Sequence, residues 1–202
     1  MSTHVIGYTE AKIDGKWYCI DFFQYDKTGH IHHQPCIEGQ SMVASALDWD
    51  CEIDRIAIPT DLSEQVRATC TGSNGKLFGE SDPHWNPWHM VKGSWFASVD
   101  LSQPEYCGFF PRQDIANYLS DPSNPLDENC MLPAEDYHEL SEEERKAYQY
   151  YEYTAPYGNR QIMRDFKECV LARIKAWNNE IAYCDDHAEI NLSDVRVLII
   201  YD

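Results

Sequence analysis

The closing stretch Asp194-Val195-Arg196-Val197-Leu198-Ile199-Ile200-Tyr201-Asp202 is apolar at nearly every position between its two aspartates. A strand with one wet face alternates apolar and polar residues, so an unbroken apolar run places this strand at the centre of a sheet covered on both sides. One cover is legible just upstream. From near Asn159 to about Tyr183, the residues Ile162, Phe166, Val170, Ile174, Trp177 and Ile181 fall within an arc of about 120° at ~100° per residue. That stripe predicts an amphipathic helix lying on the sheet, with roughly 9 to 18 kcal/mol of gross apolar burial from its six side chains.

The first third supplies candidate strands. Val5 to Ile13 and Lys16 to Phe23 are rich in aromatic and β-branched residues and are separated by Asp14-Gly15, a type I′ hairpin signal. A turn at Lys27-Thr28-Gly29 leads to a third strand expected over His30 to Cys36, and a short helix is expected from Ser41 to Leu47. Asp61 or Ser63 can cap a single helical turn that follows. Between Thr71 and Pro133 lie seven of the ten prolines, so this middle reads as loop, with short elements at Trp95 to Val99 and Ile115 to Leu119. Ser141-Glu142-Glu143-Glu144 is a capping box, and the helix it opens is expected to run to about Tyr153, before Pro156.

These readings give an α+β fold: a mainly antiparallel sheet packed by a long C-terminal amphipathic helix, with an irregular Pro/Gly-rich middle. One domain is expected over residues 1–202, sheet-forming in 1–70, irregular in 71–133, helical in 141–183 and closed by a strand at 194–201. The amino terminus lacks a basic segment followed by an apolar one, and no apolar run approaches the ~18 residues of a membrane span, so a cytoplasmic location in a host cell is expected. Eight cysteines are scattered without a CxxC pair and read as free thiols.

Charge limits the partners. The chain holds 34 Asp and Glu against 16 Lys and Arg, a net charge of -18. Two long blocks contain no base, one between Lys27 and Arg55 and the other between Arg112 and Arg145. Such surfaces repel nucleic acid and anionic membranes and attract basic protein surfaces.

In the first block, Asp48, Asp50, Glu52 and Asp54 alternate with apolar residues. If extended, they share one face at ~6.7 Å intervals, about two steps of nucleic-acid backbone charge, which suits a nucleic-acid mimic. A Ca²⁺ loop is excluded, because its required Gly and Glu positions hold Ile53 and Pro59. In the second block, Glu135, Asp136, Glu139, Glu142 and Glu143 precede Tyr150 and other tyrosines, which together offer carboxylates and rings to arginine.

No catalytic residue stands out. His30, His32 and His33 with Cys36, and His84 with His89, lack the spacing of a zinc site, and no GxSxG or phosphate loop occurs. No metal and no cofactor is expected.

Three segments together resemble a known group: Ile58 to Val66, His84 to Leu101, and Asp194 to Asp202. In that order they are similar to small acidic proteins of unassigned function from phages and prophages of Gram-positive gut bacteria. This chain departs from the group at His84-Trp85-Asn86-Pro87-Trp88-His89, where the relatives carry a His-Ser pair. The resemblance implies no activity and no catalytic residues. It does imply a phage origin, and hence an anti-defence inhibitor of a host nucleic-acid-binding or CRISPR-type protein as the leading expectation. The partner would be a basic surface of a host protein, with no direct nucleic-acid contact and no membrane. The alternative is an enzyme or small-ligand-binding protein with a site in the Trp/His-rich middle, possessing a metal in one version, and a third reading is a virion component.

Overall fold

The computed structural model describes residues 5–25, 31–38, 41–49, 53–82, 84, 86–181 and 189–201. Along the chain come strands β1 (Val5–Ile13), β2 (Lys16–Cys19), β3 (Phe23–Tyr25), β4 (Ile31–His33) and β5 (Ile37–Glu38), helix α1 (Ser41–Trp49), strand β6 (Asp54–Arg55) and helix α2 (Glu64–Thr69). Next are β7 (Trp88–Lys92), α3 (Gly93–Ser98), β8 (Tyr106–Pro111), α4 (Arg112–Ser120), α5 (Ala134–Glu139), α6 (Glu142–Arg145) and β9 (Tyr148–Tyr153). Helix α7 (Asn159–Ile181) and strand β10 (Val195–Tyr201) close the chain. The fold is α+β with a mainly antiparallel sheet. The chain gathers into two compact units, one from Met1–Val99 with Asp165–Asp202 and one from Asp100–Arg164.

In the first unit an antiparallel sheet runs in the order β2-β1-β10-β7-β6, with β5 also paired to β1. Strand β10 sits in the middle, as its composition demands, and every residue from Val195 to Ile200 is buried. The β1–β2 turn places Asp14 at φ 50° and Gly15 at φ 81°, the two left-handed positions that a type I′ turn requires. The strand expected over His30 to Cys36 is shorter, Ile31–His33, and a further short strand, Ile37–Glu38, follows it. Strand β4 pairs with β3 in a separate two-stranded ladder, and β5 joins the main sheet.

One face of that sheet carries Tyr8, Cys19, Trp88, Leu198 and Ile200, packed with Val66, Cys70 and Leu77. Ser63 caps α2 by accepting the Val66 amide at 3.3 Å, and Trp88 donates its indole N–H to the Phe78 carbonyl at 2.8 Å. Alternation turns Val195, Val197 and Ile199 to the opposite side. Helix α7 buries Phe166, Val170 and Ile174, and Phe166 packs against Trp95 and Phe96 of α3 with ring centroids 6.3 and 5.5 Å apart. Helix α3 starts at Gly93, where any Cβ would collide with the Leu192 carbonyl oxygen.

The second unit is built on β8 paired with β9, over a core of Phe110, Ile115, Leu126 and Tyr153. Here the structure corrects the sequence reading. The helix opened by the Ser141 capping box ends at Arg145, and Tyr148–Tyr153 is a strand. Pairing with β8 buries Tyr153 beside Tyr106 and Phe110, so aromatic packing across the ladder overrides the local helix signal. The middle is likewise more ordered than its prolines suggest. It contains β7, α3, β8 and α4, and the short elements expected near Trp95 and Ile115 are α3 and α4.

Candidate functional site

Each unit handles its carboxylates differently. In the first, Glu10 of β1 is wholly buried, with Oε1 accepting the Ser63 amide at 2.8 Å and Oε2 accepting Arg196 Nε at 2.8 Å and lying 2.7 Å from Nη2. Arg196 also donates from Nη1 to Asp61 Oδ1 at 3.1 Å and from Nη2 to the Asp61 carbonyl at 3.0 Å. Trp17 completes the lattice, its indole N–H 2.8 Å from Asp61 Oδ2 and its ring 3.9 Å from the guanidinium. Partial burial pushes the Asp61 carboxyl up, but the hydrogen bonds from Trp17 and Arg196 and the guanidinium charge outweigh it and hold the group below its ordinary value. The segments 58–66 and 194–202 thus meet at this lattice, through Asp61 and Ser63 on one side and Arg196 on the other.

A second buried pair joins Asp21 to α7. Arg173 Nε donates to Asp21 Oδ1 at 2.6 Å, and the Thr9 amide donates to Oδ2 at 2.9 Å. Burial pushes the Asp21 carboxyl up to about 6 against these donors, so it is ionised at neutral pH. Arg173 also reaches the Cys169 carbonyl and thiol, at 3.1 and 2.7 Å, and the Cys36 thiol donates to the Gly7 carbonyl at 3.1 Å. Burial raises the Cys36 and Cys19 thiols well above their ordinary value and Cys70 to about 12, so none of the three forms a thiolate at neutral pH. The six described cysteines are all free.

The second unit displays its carboxylates. Its residues hold 13 Asp and Glu against 5 Lys and Arg. Some are structural: Glu105, Asp121, Asp127 and Glu144 accept the backbone amides of Asn159, Ser123, Asn129 and Ser141 at 2.9 to 3.1 Å. Glu135, Asp136 and Glu139 on α5 and Glu142 and Glu143 on α6 are exposed. Among the described residues only Glu143 of these five forms an ion pair, to Lys146 at 2.6 Å. Arg145 ties the two helical turns together, donating from Nε to the Tyr137 carbonyl at 3.1 Å and from Nη2 to the His138 carbonyl. Phe109 of β8 stacks on Tyr137 at 3.7 Å and meets Tyr150 of β9 edge-on at 5.6 Å, leaving Tyr150 half exposed.

The first-block candidates do not form a row on one strand. Asp48 lies in the last turn of α1, and Asp54 lies in β6, paired with Lys92 at 2.6 Å. Asp50 and Glu52 lie outside the described residues. The aromatic middle is largely packing: Trp88 is core, and the His89 ring packs edge-on against Tyr201 at 4.7 Å. His84 is exposed, while His30 and the side chains of His32 and His33 lie outside the described residues. Among the described residues no three His, Cys, Asp or Glu side chains converge as a metal site. No described helix is long and apolar enough to cross a membrane.

Sequence reasoning missed Glu10, Asp21, Arg173 and Arg196. The available signal was a lone charge inside an apolar strand, as at Arg196. The backbone-capping acids carried a signal too, the Asp-x-Ser/Asn spacing at Asp121 and Asp127. No family model, no curated protein and no solved structure matches the chain.

Proposed function

We propose that this chain is a non-enzymatic binding protein that presents carboxylates to a basic surface of a partner protein. In its specific form it is a phage-encoded, cytoplasmic inhibitor of a host nucleic-acid-binding or CRISPR-type defence protein, occupying a surface built for nucleic acid. The supporting observation is the α5–α6 face. Glu135, Asp136, Glu139, Glu142 and Glu143 are exposed on two helical turns joined by Arg145, with Lys146 paired to Glu143 and Tyr150 half exposed on the same unit. Glu135, Asp136, Glu139 and Glu142, which neither cap a helix nor form an ion pair among the described residues, are available to arginine, and a tyrosine ring adds a surface for its guanidinium plane.

The α5–α6 carboxylates carry this reading, and Asp48, Asp50, Glu52 and Asp54 add to the same sign of charge. Exposed ion pairs are screened beyond ~8 Å at physiological ionic strength, so capture of the partner should fall steeply as salt rises. Pull-down from host lysate at low and high salt, read by mass spectrometry, tests this. Loss of the specific partner at high salt is expected; a complex equally abundant at both contradicts the reading.

A further inference from the structure

The second unit's ladder has two strands, β8 and β9, and their hydrogen bonds show which edge is unfilled. Phe109 exchanges both backbone hydrogen bonds with Leu132, each at 2.9 Å, on the side of β8 away from β9. Phe109 and Tyr150 are therefore a non-hydrogen-bonded pair of the ladder, and the backbone N–H and C=O of Tyr150 point away from β8. By alternation those of Tyr148 and Glu152 point the same way, and the Arg112 amide bonded to the Ala147 carbonyl at 2.8 Å fits that register. Among the described residues no strand pairs with this edge of β9. Tyr150 and Glu152 are exposed along it, and Tyr148 is half-buried.

Tyr148, Tyr150 and Glu152 also share one face of the strand. On that face Tyr150 meets Phe109 edge-on at 5.6 Å and Phe109 stacks on Tyr137, so a continuous aromatic surface runs from the open edge to α5. Among the described residues no cation lies over the Tyr150 ring and no ion pair reaches Glu152. Glu152 accepts one long contact, from the Tyr150 hydroxyl at 3.5 Å, which leaves its carboxylate open to a stronger donor. The bases at the start of the strand are engaged elsewhere. Arg112 donates to the Lys146 carbonyl and to the Gln149 side chain, on the opposite face; Arg145 holds the Tyr137 and His138 carbonyls; Lys146 pairs with Glu143.

We propose that the open edge of β9 takes an extended basic segment of the partner protein, which pairs with the backbone of Tyr148, Tyr150 and Glu152 and sets an Arg or Lys opposite Glu152. Main-chain pairing supplies affinity and the side chains across from it supply selectivity, as in other strand-addition sites. Diagonal neighbours across an antiparallel pair lie ~7–8 Å apart, within reach of a long side chain, so the same base meets Glu152 and the Tyr150 ring. Charge selects the occupant. Glu152 has no base, the unit holds 13 Asp and Glu against 5 Lys and Arg, and a second copy of the chain would bring two units of that sign together. The inference rests on the reading that this unit meets a basic partner, and it names the form in which the partner arrives.

The test is a titration of the full ¹⁵N-labelled chain with the capped heptapeptide Thr-Arg-Thr-Val-Thr-Val-Thr, whose antiparallel pairing sets Arg, Val and Val opposite Glu152, Tyr150 and Tyr148. In the free chain the amides of Tyr148, Tyr150 and Glu152 should exchange with solvent faster than those of Gln149 and Tyr151, and millimolar peptide should shift and slow those three. N-methylation of the peptide's first valine, whose amide faces Tyr150, should weaken binding about tenfold, while methylation of the threonine after it leaves binding unchanged. Glu152→Gln should weaken binding several-fold. A chain neutralised at Glu135, Asp136, Glu139, Glu142 and Glu143 should keep the β9 shifts, which separates failure here from loss of lysate capture. No shift at millimolar peptide, equal binding of a peptide with glutamate in place of arginine, equal binding of both methylated peptides, or shifts confined to α5 and α6 would each overturn the proposal.

Discussion

Glu10 and Glu139 are the same residue type in two different situations. Glu10 is sealed in the first unit and satisfied by an arginine and a backbone amide; Glu139 is exposed in the second, and among the described residues no base pairs with it. Ionised carboxylates are expensive to bury, so each buried one in the first unit is paired with arginine and hydrogen-bonded. The acids of α5 and α6 have no such constraint. A formal charge of -18 therefore mixes two populations, buried carboxylates paired with arginine in the first unit and exposed carboxylates on α5 and α6 in the second.

The largest test of that contrast is to remove a base from the first population. Arg196→Met leaves Glu10 buried without its guanidinium, and single removal of one partner from a buried pair costs about 3 to 5 kcal/mol. Urea unfolding should show that loss, with the slope unchanged. A loss no larger than that of a surface substitution would mean that the lattice holds little together.

A smaller and more selective test uses pH. The Asp21 carboxyl, raised to about 6 by burial, holds its proton more tightly in the fold than in the unfolded chain. Its contribution to stability is therefore complete below the ordinary carboxylate range and declines as pH rises through about 6. Relative to Asp21→Asn, the wild-type chain should gain stability as pH falls from about 7 to about 4. Asp61 is shifted downward and contributes with the opposite sign, but it is common to both chains and cancels. A stability difference that does not change with pH would show that burial does not govern Asp21.

The same contrast explains what could be read from the sequence. Strand β10 was legible because each of its residues from Val195 to Ile200 is buried, and the β1–β2 turn because Asp14-Gly15 has few other conformations to specify. Strand β9 was not, because Ser141 and Glu144 do start a helix, and only the pairing of Tyr153 with Tyr106, 47 positions upstream, shows where it must end. Arg196 lies 186 residues from Glu10 and 135 from Asp61, so no local pattern joins them. Exposed acids are easier: α5 and α6 appear where the base-free block lies, since nothing in the interior competes for those side chains.

The smallest expected effect on stability belongs to the displayed acids, and for that reason they test the central claim most directly. Two variants with equal charge change are compared for partner capture from host lysate. One is Glu135→Gln, Asp136→Asn, Glu139→Gln, Glu142→Gln and Glu143→Gln in the second unit; the other is Asp14→Asn, Glu38→Gln, Asp82→Asn, Glu168→Gln and Glu189→Gln in the first. Both should unfold close to wild type. Capture should be lost in the second-unit variant and kept in the first-unit variant. Equal loss in both would make the acidity a property of the whole chain, and retention in the second-unit variant would contradict the assignment of the α5–α6 face.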